Sequence, residues 1–243
     1  MRTKAVRMYG KNDLRLEEFE LPQMKEDEVL VKVMSDSICM STYKLVAQGK
    51  KHKRAPQNID TNPVIVGHEC SGIIVEVGEK WKNQFRPGQK FSLQPALNYQ
   101  GKLDSPGYSY EFCGGACTYC IMPHEVMELG CLLDYTGESF FEASLGEPMS
   151  CIIGGYHANY HTNKKNYGHA MGTKEDGNIL IMGGCGPMGL GAVSYGLQFE
   201  NKPRRIVVTD ISDDRIQRAR EVISEESAKK RGIELRYVNT AAM

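Results

Sequence analysis

The sequence lacks an excess of either charge, a long apolar run and any internal repeat, and each absence removes a class of function. Thirty Lys and Arg balance thirty Asp and Glu at a formal net charge of zero. No global field is therefore present to hold a polyanion, and nucleic acid is not an expected partner. The N-terminus, Met1-Arg2-Thr3-Lys4-Ala5-Val6-Arg7, carries no apolar signal core, and no later stretch is long and apolar enough to span a bilayer. The expectation is a soluble, cytoplasmic chain with no membrane partner. Low-complexity segments are absent as well. The eight cysteines fall at irregular spacing, which argues for free thiols and metal ligands over a disulfide framework.

What is present divides in two. A chain of 243 residues holds one large domain or two small ones at roughly 150 residues per domain, and its character changes near residue 150. Before that point short β-rich runs alternate with turns: Leu30-Val31-Lys32-Val33, Val64-Ile65-Val66 and Ile73-Ile74-Val75-Glu76-Val77 read as strands, broken by Gly78 and Arg86-Pro87-Gly88-Gln89. After it, a strand at 179 to 182 leads through a glycine turn into a helix reaching about Glu200, and Arg205-Ile206-Val207-Val208-Thr209 forms the next strand of a βαβ unit. Ser212 is the expected N-cap of a second helix, with Asp213 and Asp214 in its first turn and Ile216, Ala219, Val222 and Ile223 as its apolar stripe. Leu235-Arg236-Tyr237-Val238 reads as a third strand. The predicted fold class is mixed, a mostly-β domain over residues 1–155 followed by an α/β dinucleotide-binding domain over 156–243.

Two signals carry chemistry. Cys39, together with His68 and Glu69 in Gly67-His68-Glu69, supplies the thiolate, imidazole and carboxylate that a catalytic zinc uses while keeping one position open. Gly184-Cys185-Gly186-Pro187-Met188-Gly189 follows an apolar strand and opens a helix, the context that gives a glycine fingerprint meaning. In that reading Gly184 makes the tight turn, Gly186 admits a pyrophosphate to the backbone and Gly189 permits close helix packing. Pro187 and Met188 begin the helix aimed at the phosphates. Asp210, closing the next strand, accepts ribose hydroxyls and repels a 2′-phosphate. NAD(H) is thus favoured over NADP(H), and the nearby Arg215 blurs that preference. A full dinucleotide domain needs two βαβαβ halves, and the stretch from Gly189 to residue 243 holds one. The expectation is a C-terminally truncated chain with an incomplete nucleotide half, not a competent dehydrogenase by itself.

These residues resemble the zinc-dependent medium-chain dehydrogenase/reductase family over essentially the whole chain. Its zinc signature is matched by Gly67, His68, Glu69, Gly72 and Gly78, with Trp81 standing where a small residue is usual. The branch of L-sorbose-1-phosphate reductases and related polyol dehydrogenases is similar through Ser35-Asp36-Ser37-Ile38-Cys39-Met40-Ser41, Phe91-Ser92-Leu93-Gln94-Pro95-Ala96-Leu97-Asn98-Tyr99, Glu147-Pro148-Met149-Ser150-Cys151 and Tyr156-His157-Ala158-Asn159-Tyr160-His161-Thr162. The resemblance implies a GroES-like zinc-binding catalytic domain ahead of a Rossmann domain, and a site in the cleft between them. It implies one catalytic Zn2+ held by Cys39, His68, Glu69 and Glu147, with the two acids able to trade places. It implies hydride transfer between a nicotinamide cofactor and a polyol or ketose, free or phosphorylated, and a homo-oligomer for the full-length protein. Ser41 matches the hydroxyl that passes a proton, while Lys44 stands where a histidine relay residue is often found, leaving the outer proton path undefined.

Other constellations compete. Cys113, Cys117, Cys120 and His124 have the composition of a zinc knuckle, but residues 116–122 read as a strand that sends Cys117 and Cys120 to opposite faces. Residues 92–112 contain no cysteine, so the structural zinc lobe of many relatives is expected to be missing. His157 and His161, four apart, would share a helix face and are read as a solvated or hydrogen-bonded pair. The run Lys50-Lys51-His52-Lys53-Arg54 reads as a solvated loop or as an active-site rim that meets a substrate phosphate. Ser41 is equally a helix N-cap, and Glu147 an ordinary helix start before Pro148. Two other functions stay open: a zinc-free quinone or enone reductase, and a non-catalytic zinc-binding fragment.

Overall fold

The computed structural model describes residues 1–162, 165, 166 and 168–241, and the chain forms two compact units, Met1–Glu147 and Pro148–Met243. The division lies inside the helix Gly146–Ala158. Residues 148–155, expected with the first domain, belong to the second unit because Met149 and Ile152 pack with Tyr156, Ile179 and Phe199.

The first unit is built on β1 (Arg2–Gly10), β2 (Asp13–Glu20), β3 (Val29–Asp36), β4 (Val64–Ile65), β5 (Cys70–Val77), β6 (Lys90–Leu93), β7 (Tyr119–Met122) and β8 (Leu132–Asp134). A five-stranded antiparallel sheet runs in the order β7-β3-β5-β6-β8, and a three-stranded sheet in the order β2-β1-β4. Val29, Val31, Ile74, Phe91, Leu93 and Met122 are buried in its main core, and Leu30 and Ile121 on the other face are buried in a smaller cluster with Leu21. The helices are α1 (Met40–Gln48), α2 (His124–Glu128) and α3 (Phe140–Ser144), and α4 (Gly146–Ala158) crosses into the second unit. One irregularity matters for function. The β3–β5 register slips between Val33 and Ser35, and such a bulge re-aims the end of a strand. Asp36 and Ser37 are thereby set beside Glu69.

In the second unit β9 (Tyr160–Thr162) pairs antiparallel with β10 (His169–Met171). β11 (Asn178–Met182), β12 (Arg205–Asp210) and β13 (Glu234–Asn239) form a parallel sheet in that order, connected through α5 (Pro187–Gly196), α6 (Asp213–Val222) and α7 (Glu225–Lys229). Ser212 caps α6 by accepting from the Arg215 N–H. Ile216 and Ala219 are buried, whereas Val222, expected on the same stripe, is 61% exposed because α6 ends there. The helix expected to reach Glu200 ends at Gly196. Among the described residues no helix is long and apolar enough to cross a membrane.

Candidate functional site

The site grows from two short segments that the first unit brings together. Cys39 is the N-cap of α1, in an extended conformation, and its Sγ accepts from the Ser41 N–H at 3.5 Å. A sulfur at this position does what an oxygen usually does; Ser41, an alternative cap by sequence, lies inside the first turn. Gly67, at φ +88°, precedes His68 and leaves no room for a side chain: a Cβ would lie 2.1 Å from Asp36 Oδ2 and 2.7 Å from the Ala116 nitrogen. Only glycine fits this turn. Beyond it His68 and Glu69 are 4% and 5% exposed. The Glu69 N–H donates to Asp36 Oδ1 at 3.1 Å, the Ser37 N–H donates to the Glu69 carbonyl at 3.1 Å, and the Ser37 hydroxyl donates to Glu69 Oε2.

The result is one group of ligand atoms, Cys39 Sγ, a His68 ring nitrogen and a Glu69 carboxylate oxygen, all within 4.8 Å of one another. Ser41 Oγ lies 2.8 Å from Cys39 Sγ and 3.3 Å from His68 Nε2. Glu69 Oε1 is 3.8 Å from the same Nε2, and the Tyr108 hydroxyl is 3.2 Å from it. The other ring nitrogen, Nδ1, lies 3.4 Å from Thr42 Oγ1. A hydroxyl on the far nitrogen orients a metal-ligating imidazole and fixes its tautomer. Burial lowers the His68 pKa and keeps the ring neutral. Burial also pushes the Cys39 thiol up, against the hydrogen bonds from Ser41 that pull it down. Asp36 is raised to about 7, first by burial and further by the Glu69 charge.

Glu147, in the first turn of α4, lines a cavity of about 300 Å³ together with Ser41, His52, Lys53, Arg54, His68, Pro95, Ala96 and Tyr108. It is outside the tight three-atom group. Lys44 is exposed on α1. Tyr108 is the residue that sequence reasoning missed. No motif marks it, and its hydroxyl reaches His68 from forty positions away. Burial raises its pKa, so its hydroxyl keeps its proton.

The other constellations resolve differently. Cys113 and Cys120 are buried in the main core, Cys113 Sγ lies 3.7 Å from Met122 Sδ, and the Cys117 thiol donates to the Gly114 carbonyl at 3.1 Å. Cys117 falls before β7, not on it. His124 sits on α2, 3.2 Å from Glu125. The shared helix face expected for His157 and His161 does not form. α4 ends at Ala158, and His161 lies on β9 opposite Ala170. His157 meets the Tyr195 hydroxyl at 3.4 Å.

In the second unit the glycine turn joins β11 to α5, with Gly186 as N-cap and Pro187 in the first turn. A Cβ on Gly189 would strike the Gly184 carbonyl at 2.2 Å, whereas one on Gly186 would meet open space. Gly189 is therefore a packing glycine. Met188 is exposed. Asp210 is 4% exposed, and its carboxylate accepts from the backbone N–H of Ile211, Ser212 and Cys185 at 2.8, 3.2 and 3.3 Å. It ties the glycine turn to the end of β12. Arg215 is exposed on α6.

Residues 25–132 match the alcohol dehydrogenase GroES-like domain. The chain is 52% identical over 241 residues to mannitol-1-phosphate 5-dehydrogenase of Aliivibrio fischeri, covering 99% of the chain and 57% of that relative. It is 46% identical over 218 residues to L-sorbose 1-phosphate reductase of Klebsiella pneumoniae, covering 90% of the chain and 53% of that relative. The chain thus spans little more than half the length of these relatives. The crystal structure of 2R,3R-butanediol dehydrogenase from Bacillus subtilis shares the fold at a TM-score of 0.73 and 24% identity, over 99% of this chain and 64% of that one. Residues 25–132 thus carry the alcohol dehydrogenase GroES-like domain, and the chain as a whole is similar to these sugar-phosphate dehydrogenases and reductases and shares the fold of 2R,3R-butanediol dehydrogenase.

Proposed function

We propose that this chain is part of a zinc-dependent oxidoreductase that moves hydride between a nicotinamide cofactor and the carbinol or carbonyl carbon of a polyol or ketose. The observation that carries the reading is the convergence of Cys39, His68 and Glu69 on one point beside the Ser41 hydroxyl. One thiolate, one imidazole and one carboxylate are a fitting donor set for a catalytic zinc, with Glu147 lining the same cavity as a further or exchanging acid. A zinc held there supplies Lewis acidity to the substrate oxygen. The protein's own groups do the rest. Ser41 stands next to both ligands and gives or takes the hydroxyl proton, and Tyr108 takes the outer place in the path that Lys44, exposed on α1, does not reach. His68 enters the site neutral, ready to ligate. The glycine turn and the α5 N-terminus receive the pyrophosphate of the cofactor, NAD(H) in preference to NADP(H), with Asp210 and Arg215 on the adenosine side.

Mannitol 1-phosphate and L-sorbose 1-phosphate are the substrates suggested by the relatives' names. The test is turnover of both compounds with each nicotinamide cofactor by a protein extended to the length of these relatives, before and after a chelator. The expected result is NAD(H)-linked activity that chelation abolishes and zinc restores. Activity untouched by metal removal would point instead to a zinc-free reductase.

A further inference from the structure

The basic run at residues 50 to 54 is not used by metal or hydride chemistry, yet three of its five residues face the site. His52, Lys53 and Arg54 line the cavity that also holds Ser41, His68, Tyr108 and Glu147. Arg54 is half-buried and built in. Its carbonyl accepts from the Ser109 hydroxyl at 2.8 Å, its Nη1 donates to Ser105 Oγ at 3.3 Å, and its guanidinium lies 5.2 Å from the centroid of the Tyr108 ring. That ring is in turn 4.8 Å from the ring of His68 and stacked at 13° on His52, 5.7 Å away. A single tyrosine ring therefore separates the cation from a metal-ligating imidazole.

Lys50 is spent on Asp60 at 2.8 Å, but among the described residues neither Lys53 nor Arg54 makes a salt bridge. Their field is felt locally. The His52 pKa is lowered by burial and then by Arg54 and Lys53, and His68, lowered first by burial, also feels Arg54. Glu147 is the acid in the same lining.

We infer that Arg54 and Lys53 form a phosphate subsite, a cationic wall that receives the phosphoryl group of a substrate whose reacting carbon lies at the Cys39, His68 and Glu69 group. The inference rests on the dehydrogenase reading above and narrows its substrate class to phosphate monoesters of open-chain sugars. A guanidinium offers paired N–H donors matched to phosphate oxygens, and stacking on an aromatic face fixes its plane. Lys53, exposed, adds a flexible point charge at the rim. The spacing through one tyrosine ring is one that a chain of a few carbons bridges.

The test is calorimetric titration of the zinc-loaded full chain, with NAD+ present, using mannitol 1-phosphate, mannitol and inorganic phosphate. Wild type is expected to prefer mannitol 1-phosphate over mannitol by about tenfold or more, the scale of a charge-assisted hydrogen-bonded pair. Arg54→Gln should cut that ratio about tenfold and Arg54→Lys should recover part of it. Lys53→Gln, at an exposed position where folding is not at stake, should cut it severalfold. Inorganic phosphate should bind at least tenfold more weakly than mannitol 1-phosphate, and equal affinity would make this a free-phosphate site and overturn the proposal. Equal binding of mannitol and its phosphate, or a ratio unmoved in all three variants, overturns the subsite alone. Binding of neither hexitol overturns the subsite together with the polyol reading beneath it.

Discussion

Cys39 and His68 enter the site in opposite states of readiness. Burial keeps His68 neutral below its ordinary value of 6.5, while burial holds the Cys39 thiol protonated above its ordinary value of 9.0. Zinc uptake must then expel one proton, from Cys39, wherever His68 is already neutral. Apparent zinc affinity should rise about tenfold per pH unit between pH 6.5 and 9, because each released proton contributes one unit of slope. Competition titration against a chromophoric chelator at several pH values reads this directly, and a flat profile would mean that Cys39 is not a ligand. Tyr108→Phe removes the hydroxyl 3.2 Å from His68 Nε2 and should lower turnover about tenfold while leaving zinc content unchanged, the pattern of a proton-handling group. Turnover equal to wild type would take Tyr108 out of the proton path. Cys39, His68 and Glu69 were legible because their residue types and glycine spacing are local in sequence. Tyr108 was not, because it reaches the site through a fold-level contact. Lys44, at the position where a relay histidine is often found, is exposed on α1.

At the scale of elements, strands and helices followed from apolar periodicity, and the departures came where chain ends compete with it. β3, β5, β11, β12 and β13 lie where alternating or continuous apolar runs put them. The continuation of α4 to His161 did not occur. Asn159 stops the helix, and the following residues find strand partners in β10 instead. The Asp210 carboxylate was read as a ribose ligand, and the structure gives it a second task that sequence could not reveal, three backbone donors from two separate loops. Asp210→Ala should therefore lower stability by about 2–3 kcal/mol, as buried N–H groups lose a charged acceptor. It should also weaken discrimination against NADPH. Denaturant unfolding and the NADH to NADPH affinity ratio check the two effects separately. Loss of stability with an unchanged ratio would confine Asp210 to holding the glycine turn.

At the scale of the whole molecule, each unit has apolar clusters of its own, the first around Val31, Ile74 and Phe91 and the second around Val193, Ile206 and Val208. Every group assigned here to the metal, proton and phosphate roles lies within Met1–Glu147, and the glycine turn with Asp210 lies within Pro148–Met243. Both units were visible as a change of pattern near residue 150. The division at Glu147 was not, because it falls inside the continuous helix α4. The central claim is that the first unit assembles a single zinc centre from Cys39, His68 and Glu69. Elemental analysis of the protein purified without chelators measures it most directly. The account predicts one zinc per chain, falling to near zero in Cys39→Ala and in His68→Ala, since each removes one of three or four metal bonds. Stoichiometric zinc retained in either variant, or two zinc ions per wild-type chain, would contradict it.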